Sequence, residues 1–165
     1  MKEIASGIRY IGVDDLDLDL FESQYILEEG MSYNSYLIED DKIAIMDTVD
    51  RRKADEWLQG LTEALGSRKP DYLIVHHMEP DHSGAIKDLC EKYPEITIVA
   101  SAMAIKFLGQ FQPGKTFKTL AVKEGDTLPL GTHTLRFFTA PMVHWPEVIV
   151  SFEETPGTLF SADAF

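Results

Sequence analysis

Residues 71–85 read DYLIVHHMEPDHSGA, and this stretch determines how the rest of the chain is interpreted. Asp71 to Val75 is apolar enough to form a buried strand, and Ser83 to Lys92 has the pattern of a helix. The loop between them carries four side chains that can bind a metal within six residues, namely His77, Glu79, Asp81 and His82. Because α/β proteins usually place ligand sites where a strand's carboxyl end leads into a loop and a helix, we predict a functional site here.

The flanking sequence predicts a single α/β domain, because short strand-like runs alternate with a few amphipathic helices and no repeat is present. Before the loop we predict strands at Ile8 to Val13, Ser35 to Ile38 and Ile43 to Met46 and a helix at Arg51 to Leu65. After it we predict a strand at Ile96 to Ala100, a helix at Ser101 to Phe107, and strands at Phe117 to Val122, Thr134 to Thr139, Val148 to Phe152 and Thr158 to Ser161.

Composition and charge exclude several classes of function. The chain has 165 residues, the size of about one domain, and a net charge of −13, which repels nucleic-acid phosphates and anionic membrane surfaces. Cys90 is the only cysteine, so an intrachain disulfide framework and a zinc site of several thiolates are excluded. With no signal-peptide core and no apolar run near the roughly 20 residues of a membrane helix, we expect a cytoplasmic protein.

Two further candidate ligands lie far along the chain. His144 and Asp163 each follow a predicted strand. Six ligands exceed the needs of a single metal with three protein ligands and an open position, so we infer a two-metal site with a bridging carboxylate. An all nitrogen and oxygen ligand set favours iron, manganese or zinc over soft metals.

Each of these residues also has an ordinary structural interpretation. A single histidine is more often hydrogen-bonded or at the surface than a metal ligand, Asp81 could cap a helix and Asp163 could belong to a turn. His76 either supports the ligands from behind or is a turn or surface histidine, and Trp145 is either core or the wall of the site. The acidic run from Asp14 to Asp19 is interpreted as a solvated edge, with a cation site as the alternative.

The ligand pattern resembles that of the metallo-β-lactamase-like domain of flavodiiron proteins, also called A-type flavoproteins. That family has H-x-E-x-D-H, then about sixty residues, H, eighteen residues, D, and a distant H. Here His77-x-Glu79-x-Asp81-His82 is followed by 61 residues, His144, 18 residues and Asp163. Further agreement extends over nearly the whole chain, at Ser32 to Ile38, Asp47 to Val49, His82 to Ala85 and His144 to Pro146.

The resemblance implies a fold, a metal centre and an activity. The expected fold is a partial αββα sandwich, mainly its first half. His77, Glu79 and His144 would hold one non-haem iron, Asp81 and His82 the other, and Asp163 would bridge them. The centre would reduce O2 to water or NO to N2O with electrons from a rubredoxin-type or flavin donor. Zinc hydrolases of the superfamily have a histidine where this chain has Glu79, so a carboxylate there favours iron, with zinc as the alternative.

The chain also departs from the family pattern. The distant histidine is absent up to Phe165, as is the flavodoxin-like domain that binds FMN. We therefore expect residues 1–165 to form a single incomplete domain lacking most of its second sheet, which would form a homo-oligomer or associate with a chain that completes it. Two other functions remain open, a metal-dependent hydrolase of the superfamily and a non-catalytic diiron module that binds or senses O2.

Overall fold

A mixed sheet of seven strands forms the centre of the fold in the computed structural model, which describes residues 2–21 and 24–164. The strands of the first half of the chain are β1 (Lys2–Ala5), β2 (Ile8–Tyr10), β3 (Val13–Asp15), β4 (Leu20–Phe21), β5 (Tyr25–Ile26), β6 (Met31–Tyr33), β7 (Tyr36–Glu39) and β8 (Ile43–Met46). The second half adds β9 (Tyr72–Val75), β10 (Thr97–Ser101), β11 (Thr119–Val122), β12 (Thr127–Pro129), β13 (Thr134–Thr139), β14 (Ile149–Glu153) and β15 (Thr158–Phe160). The helices are α1 (Ala54–Leu65), α2 (Pro80–Ser83), α3 (Ile86–Lys92) and α4 (Ala102–Phe111), with 3-10 turns at Arg51–Lys53 and Ala162–Ala164.

The order of the central sheet is β1-β2-β7-β8-β9-β10-β11. The pairs from β1 to β8 are antiparallel, whereas β8, β9, β10 and β11 are parallel to their neighbours. The parallel strands are connected by helices, because a parallel pair requires a crossover connection. The carboxyl ends of β8 and β9 therefore lie side by side, with Met46 paired to Ile74.

A second sheet, antiparallel and in the order β12-β13-β14-β15, packs on one face of the first. Ile38, Met46 and Ile74 of the first sheet and Phe137 and Ile149 of the second share one apolar layer. The opposite face of the first sheet is covered by helices through a separate layer that includes Trp57, Leu61, Leu89 and Leu108. This arrangement confirms the predicted α/β class and the packing of two sheets, but the second sheet has four strands, so the expectation that most of it would be lacking is wrong.

Two predicted elements are divided, and a glycine lies at each division. Ile8 to Val13 is not one strand, because β2 pairs with β7 in the central sheet and β3 pairs with β6 outside it. Gly12 lies between the two strands, and a Cβ atom there would lie 2.3 Å from the Tyr33 carbonyl oxygen. The helix predicted at Ser83 to Lys92 is two helices that meet near Gly84. A Cβ there would lie 2.6 Å from the Arg51 backbone nitrogen, so glycine permits the close approach of this turn to the 3-10 turn at Arg51–Lys53.

The acidic run also differs from its interpretation as a solvated edge. Asp15 is fully buried, and its carboxylate lies 2.9 Å from the Arg52 Nε atom and 3.3 Å from the Tyr33 hydroxyl. Burial opposes ionisation, but the hydrogen bond and charge of Arg52 lower the pKa of Asp15 overall. The antiparallel pair β3–β6 is thereby attached to the 3-10 turn that precedes α1. Across the described ranges, no helix has the length and apolar character needed to cross a bilayer.

Candidate metal centre

Three chain segments bring the predicted ligands to the carboxyl ends of β8 and β9. The β9–α2 loop carries His77 and Glu79, and α2, which begins at Pro80, carries Asp81 and His82. The other two segments are the β13–β14 loop, with His144, and the turn after β15, with Asp163. The His82 carbonyl accepts hydrogen bonds of 2.8 Å from both the amide and the hydroxyl of Thr48, which fixes α2 against the end of β8.

Four of the six predicted residues form a first ligand cluster, defined as His77, Glu79, His144 and Asp163. Glu79 Oε2 lies 3.0 Å from His77 Nε2 and 2.7 Å from His144 Nε2. The two Nε2 atoms are 3.3 Å apart, and Asp163 Oδ2 lies 3.6 Å from each. One donor atom from each residue is therefore directed at a common point.

The remaining residues form a second ligand cluster with the same aspartate, defined as Asp81, His82 and Asp163. His82 Nε2 lies 2.8 Å from Asp163 Oδ1 and 3.7 Å from Asp81 Oδ2. Asp163 thus presents Oδ2 to the first cluster and Oδ1 to the second. All six predicted residues are brought together, and the aspartate predicted to bridge lies between the two groups.

The spacing and the burial of the donor atoms are consistent with bound metal ions. Neighbouring donors bound to one ion at about 2.1 Å lie about 3 Å apart, close to the separations in the first cluster. Asp81 Oδ1 is buried and has no hydrogen-bond partner among the described residues. Burial, with the nearby charges of Glu79 and Asp163, raises the pKa of Asp81 to about 6. A cation beside these carboxylates would remove that penalty.

His82 shows how strongly the carboxylates attract positive charge. Burial would lower the pKa of His82, but the hydrogen bond to Asp163 and the charges of Asp47 and Asp81 raise it to about 11. The same hydrogen bond is the main reason that the pKa of Asp163 is lowered. In the absence of metal, a proton on His82 supplies part of the charge that an ion would supply.

Behind the ligands lies a buried network centred on Asp47. Its Oδ1 accepts a hydrogen bond of 2.7 Å from the His76 amide, and its Oδ2 lies 3.0 Å from His76 Nδ1. The other ring nitrogen of His76 lies 2.7 Å from the Ser151 hydroxyl. His76 is fully buried, so its interpretation as a turn or surface histidine is wrong. Asp47 Oδ2 is also 3.6 Å from His82 Nδ1, which places this network beside the second cluster.

Glu147 is a residue of the site that the sequence interpretation did not include. Its side chain is fully buried, and Oε1 lies 2.8 Å from His77 Nδ1 and 2.9 Å from the Met78 amide nitrogen. The one available signal was a carboxylate three residues after a ligand histidine, in the sequence HWPE. An exposed loop glutamate has the same local pattern, so sequence alone did not distinguish the two.

The backbone is strained where the ligands are presented. Among the described residues, only three that are not glycine have a positive φ, and all three border the site: Asp47 at 52°, Met142 at 67° and Ala162 at 45°. Met142 precedes His144 by two residues, and Ala162 immediately precedes Asp163. Such conformations cost about 1–3 kcal/mol each and are retained where the surrounding structure enforces them.

Two pockets adjoin the ligands and differ in character. One of about 310 Å³ is lined by Asp47, Asp81, His82 and Asp163 and is mainly polar. The other, of about 510 Å³, touches Glu79 and Asp81, and its remaining lining is largely apolar, with Leu18, Leu20, Phe21 and Trp145. Trp145 is partly buried, and its ring lies edge-on to His77 with centroids 5.1 Å apart. It therefore forms a wall of the site.

Comparison with known proteins agrees with this architecture. Residues 31–165 match the family described as ODP family beta lactamase. Diflavin flavoprotein A 1 of Synechocystis is 41% identical over 99% of this chain, and the anaerobic nitric oxide reductase flavorubredoxin of Vibrio vulnificus is 36% identical over 98%. The crystal structure of the flavodiiron protein from Giardia intestinalis superimposes with a TM-score of 0.91 and 30% identity over 97% of this chain.

The chain spans about a third of the length of these proteins: 29% of the Synechocystis protein, 33% of the Vibrio protein and 39% of the Giardia chain. Within that span the match is nearly continuous, and it includes the two-sheet fold and the loops that carry all six predicted ligands. The chain therefore belongs to the flavodiiron protein family, as part of its beta-lactamase-like domain.

Proposed function

We propose that this chain holds two non-haem iron ions and supplies the diiron centre at which O2 is reduced to water or NO to N2O. His77, Glu79 and His144 would hold one iron and Asp81 and His82 the other, with Asp163 bridging them. The observation that carries the proposal is the position of Asp163, which presents one carboxylate oxygen to each cluster. A carboxylate shared by two adjacent ions is the arrangement that two-metal chemistry requires.

The chemistry proposed for the pair is simple. When bound, two ferrous ions would together supply two electrons, enough with two protons to convert two NO molecules to N2O and water, whereas reduction of O2 to two waters takes four electrons and four protons, so two more electrons would come from the donor. The name of the Vibrio relative supports NO as a substrate, and the family resemblance supports O2.

The residues around the ligands suit a small uncharged substrate. The pocket that reaches Glu79 and Asp81 is largely apolar, and Arg52 is the only cation among its lining residues. That guanidinium already pairs with buried Asp15 at 2.9 Å. Apart from the metal ions themselves, the described lining offers no free cation for the rest of a phosphodiester or carboxylate substrate, whereas its apolar surface suits a small uncharged diatomic molecule.

The chain's own residues would prepare the site in two ways. Trp145 covers one side of His77 and limits the approach of water. Asp47 accepts a hydrogen bond from the His76 amide, and this contact holds the carboxyl ends of β8 and β9 together. Both actions restrict the ligands before a substrate arrives, so less reorganisation is needed when it binds.

Electrons would come from a flavin or rubredoxin-type donor. No glycine-rich phosphate-binding loop occurs in residues 1–165, so we propose that FMN is bound outside this domain. The expected homo-oligomer would add no such loop, so the donor would reach the centre from sequence outside residues 1–165, for example by association with a further chain.

The first experiment measures iron and zinc per chain in protein purified without oxygen and reconstituted with ferrous iron. The reduced sample then receives one equivalent of O2 or of NO, and consumption of the gas is followed. We expect about two irons per chain, with gas consumption that is lost in Asp163→Ala and retained in Asp55→Ala, an exposed carboxylate on α1.

Each alternative function predicts a different result. Zinc alone, with cleavage of a phosphodiester, would identify a hydrolase. An absorbance change on adding O2, with no consumption beyond binding, would identify a sensory or O2-binding module. Absence of bound metal in the reconstituted wild-type chain would overturn the proposal.

A further inference from the structure

Glu147 has an environment that packing alone does not explain. Its side chain is completely buried between the loops that carry His77 and His144, and Oε2 has no hydrogen-bond partner in the described part of the chain. A buried carboxylate with one unpartnered oxygen is destabilising. The group is therefore held here in spite of its cost.

We propose that Glu147 is a positioning residue that keeps the proton of His77 on Nδ1 and so directs the Nε2 lone pair into the first ligand cluster. This inference rests on the proposed metal site and adds a residue to it. The Met78 amide can only donate a hydrogen bond, so Glu147 Oε1, 2.9 Å away, acts as an acceptor. His77 Nδ1 lies 2.8 Å from the same oxygen, and it must carry the proton to complete that contact.

The other ring nitrogen shows why this tautomer matters. His77 Nε2 faces Glu79 Oε2 at 3.0 Å and His144 Nε2 at 3.3 Å. When the ring binds a metal through Nε2, its remaining proton is on Nδ1, the atom that lies 2.8 Å from Glu147 Oε1. A histidine that binds a metal through one nitrogen commonly donates its other N–H to a carboxylate, which fixes both tautomer and ring orientation.

The backbone around Glu147 is itself anchored. Its carbonyl oxygen accepts a hydrogen bond of 2.8 Å from the Ser101 hydroxyl, and that hydroxyl also accepts from the Ala104 amide at the start of α4. Two residues further on, the Ile149 amide donates to the His76 carbonyl at 3.1 Å. Glu147 is therefore held from both sides, and its carboxylate has a fixed position from which to orient His77.

The chain provides a matched control in Glu153. It too is a fully buried glutamate beside a buried histidine, with Oε1 3.0 Å from His133 Nδ1 and Oε2 unpartnered across residues 2–21 and 24–164. It lies in β14 and belongs to neither ligand cluster. His133 Nδ1 has no hydrogen-bond partner among the described residues, and Glu153 Oε1 accepts a hydrogen bond of 3.0 Å from the Thr155 amide. Glu153→Gln therefore makes the same substitution at a buried glutamate beside a histidine, away from the metal site and without breaking a His–Glu hydrogen bond.

The test compares Glu147→Gln with Glu153→Gln in the full chain. The first measurement is the tautomer of His77 in metal-free protein, from the nitrogen-15 chemical shifts of its ring, assigned with His77→Ala. We expect Nδ1–H in wild type and in Glu153→Gln, and a loss of that single tautomer in Glu147→Gln, whose amide can donate as well as accept. Glu147→Asp, which keeps the carboxylate, should restore Nδ1–H.

The second measurement is the affinity for Co²⁺, titrated without oxygen and followed by its visible absorbance. We expect Glu147→Gln to weaken one of two binding events by about 10- to 100-fold and Glu153→Gln to leave both unchanged. An unchanged tautomer and unchanged affinity in Glu147→Gln would overturn the inference. Wild-type protein that binds no metal would instead overturn the proposed function, and the tautomer measurement would still decide the role of Glu147.

Discussion

The two ligand clusters share Asp163 but differ in how firmly their histidines are held. His77 of the first cluster is supported by Glu147 at 2.8 Å. His82 of the second cluster has Asp47 at 3.6 Å behind its Nδ1 atom, which is too long for a hydrogen bond. The first cluster also has four donor residues where the second has three among the described residues. The comparison indicates that the His77 ring is oriented from behind without metal, whereas the His82 ring lacks an equivalent hydrogen bond on Nδ1 within the described part of the chain.

The largest effect is expected where the two clusters meet. Asp163→Ala removes a ligand from both, so we expect iron content to fall well below one per chain after anaerobic reconstitution. Asp55→Ala, an exposed carboxylate change, should leave it near two. Loss of only one iron in Asp163→Ala would show that the carboxylate belongs to one cluster alone.

Replacing His77 should remove the iron of the first cluster, whereas replacing its neighbour His76 should not. His77→Ala removes a ligand and should lower iron content by about one per chain, and Glu79→Ala should do the same. His76→Ala leaves all six ligands in place, so its iron content should fall less. Elemental analysis of the three variants decides the matter. Metal loss in His76→Ala with retention in His77→Ala would invert the assignment.

Burial of Asp81, together with the charges of Glu79 and Asp163, should affect the pH dependence of the stability of metal-free protein. The pKa of Asp81 in the folded protein, about 6, lies above the ordinary value for an aspartate. The folded state therefore binds the Asp81 proton more tightly than the unfolded state does. Stability should therefore be lost as pH rises from about 4 to 6, and Asp81→Asn should remove this loss. We expect the variant to be more stable by about 1–3 kcal/mol at pH 7.5 and equal to wild type near pH 4.

Urea unfolding of metal-free wild type, Asp81→Asn and the exposed control Asp55→Asn measures this difference. In iron-loaded protein the order should reverse, because the amide is a poorer ligand than the carboxylate. If metal-free Asp81→Asn were less stable than wild type at pH 7.5, the ionised Asp81 carboxylate would not be destabilising in the folded protein.

The smallest effect is expected from the weak support behind His82. Asparagine tolerates the left-handed backbone at Asp47, so Asp47→Asn should fold, with weaker hydrogen bonds to His76. We expect the second Co²⁺ binding event to weaken by about threefold to tenfold, less than the change expected for Glu147→Gln at the first. Equal losses at both clusters would remove the distinction between them.

The candidate metal ligands and several strands could be predicted from the sequence, because each is marked by a pattern among neighbouring residues. The ligands are close in sequence or follow strands, and the strands Ile43–Met46 and Thr134–Thr139 have the bounds that their apolar pattern predicted. The short strand β12 was not predicted, because three residues with one buried side chain carry too little pattern.

The supporting residues depend on tertiary contacts, which local pattern does not encode. Glu147 contacts His77 70 residues away, and Asp47 contacts His76 29 residues away. Asp15 was misinterpreted for the same reason, since its partner Arg52 lies 37 residues further along the chain. Only Asp15 was interpreted as solvated, as part of the acidic run, whereas Glu147 and Asp47 were given no role at the site; all three are buried beside a distant partner.

The long separations within the site also affect the order in which the protein folds. The contact between His82 and Asp163 closes a segment of 81 residues, and the contact between Glu79 and His144 closes one of 65. Closing such segments costs entropy that only the docking of the two sheets offsets. Neither cluster therefore exists until folding is nearly complete. If the proposed centre binds iron, we expect iron to leave the folding rate almost unchanged and to slow unfolding, because its ligands come together only in the folded structure.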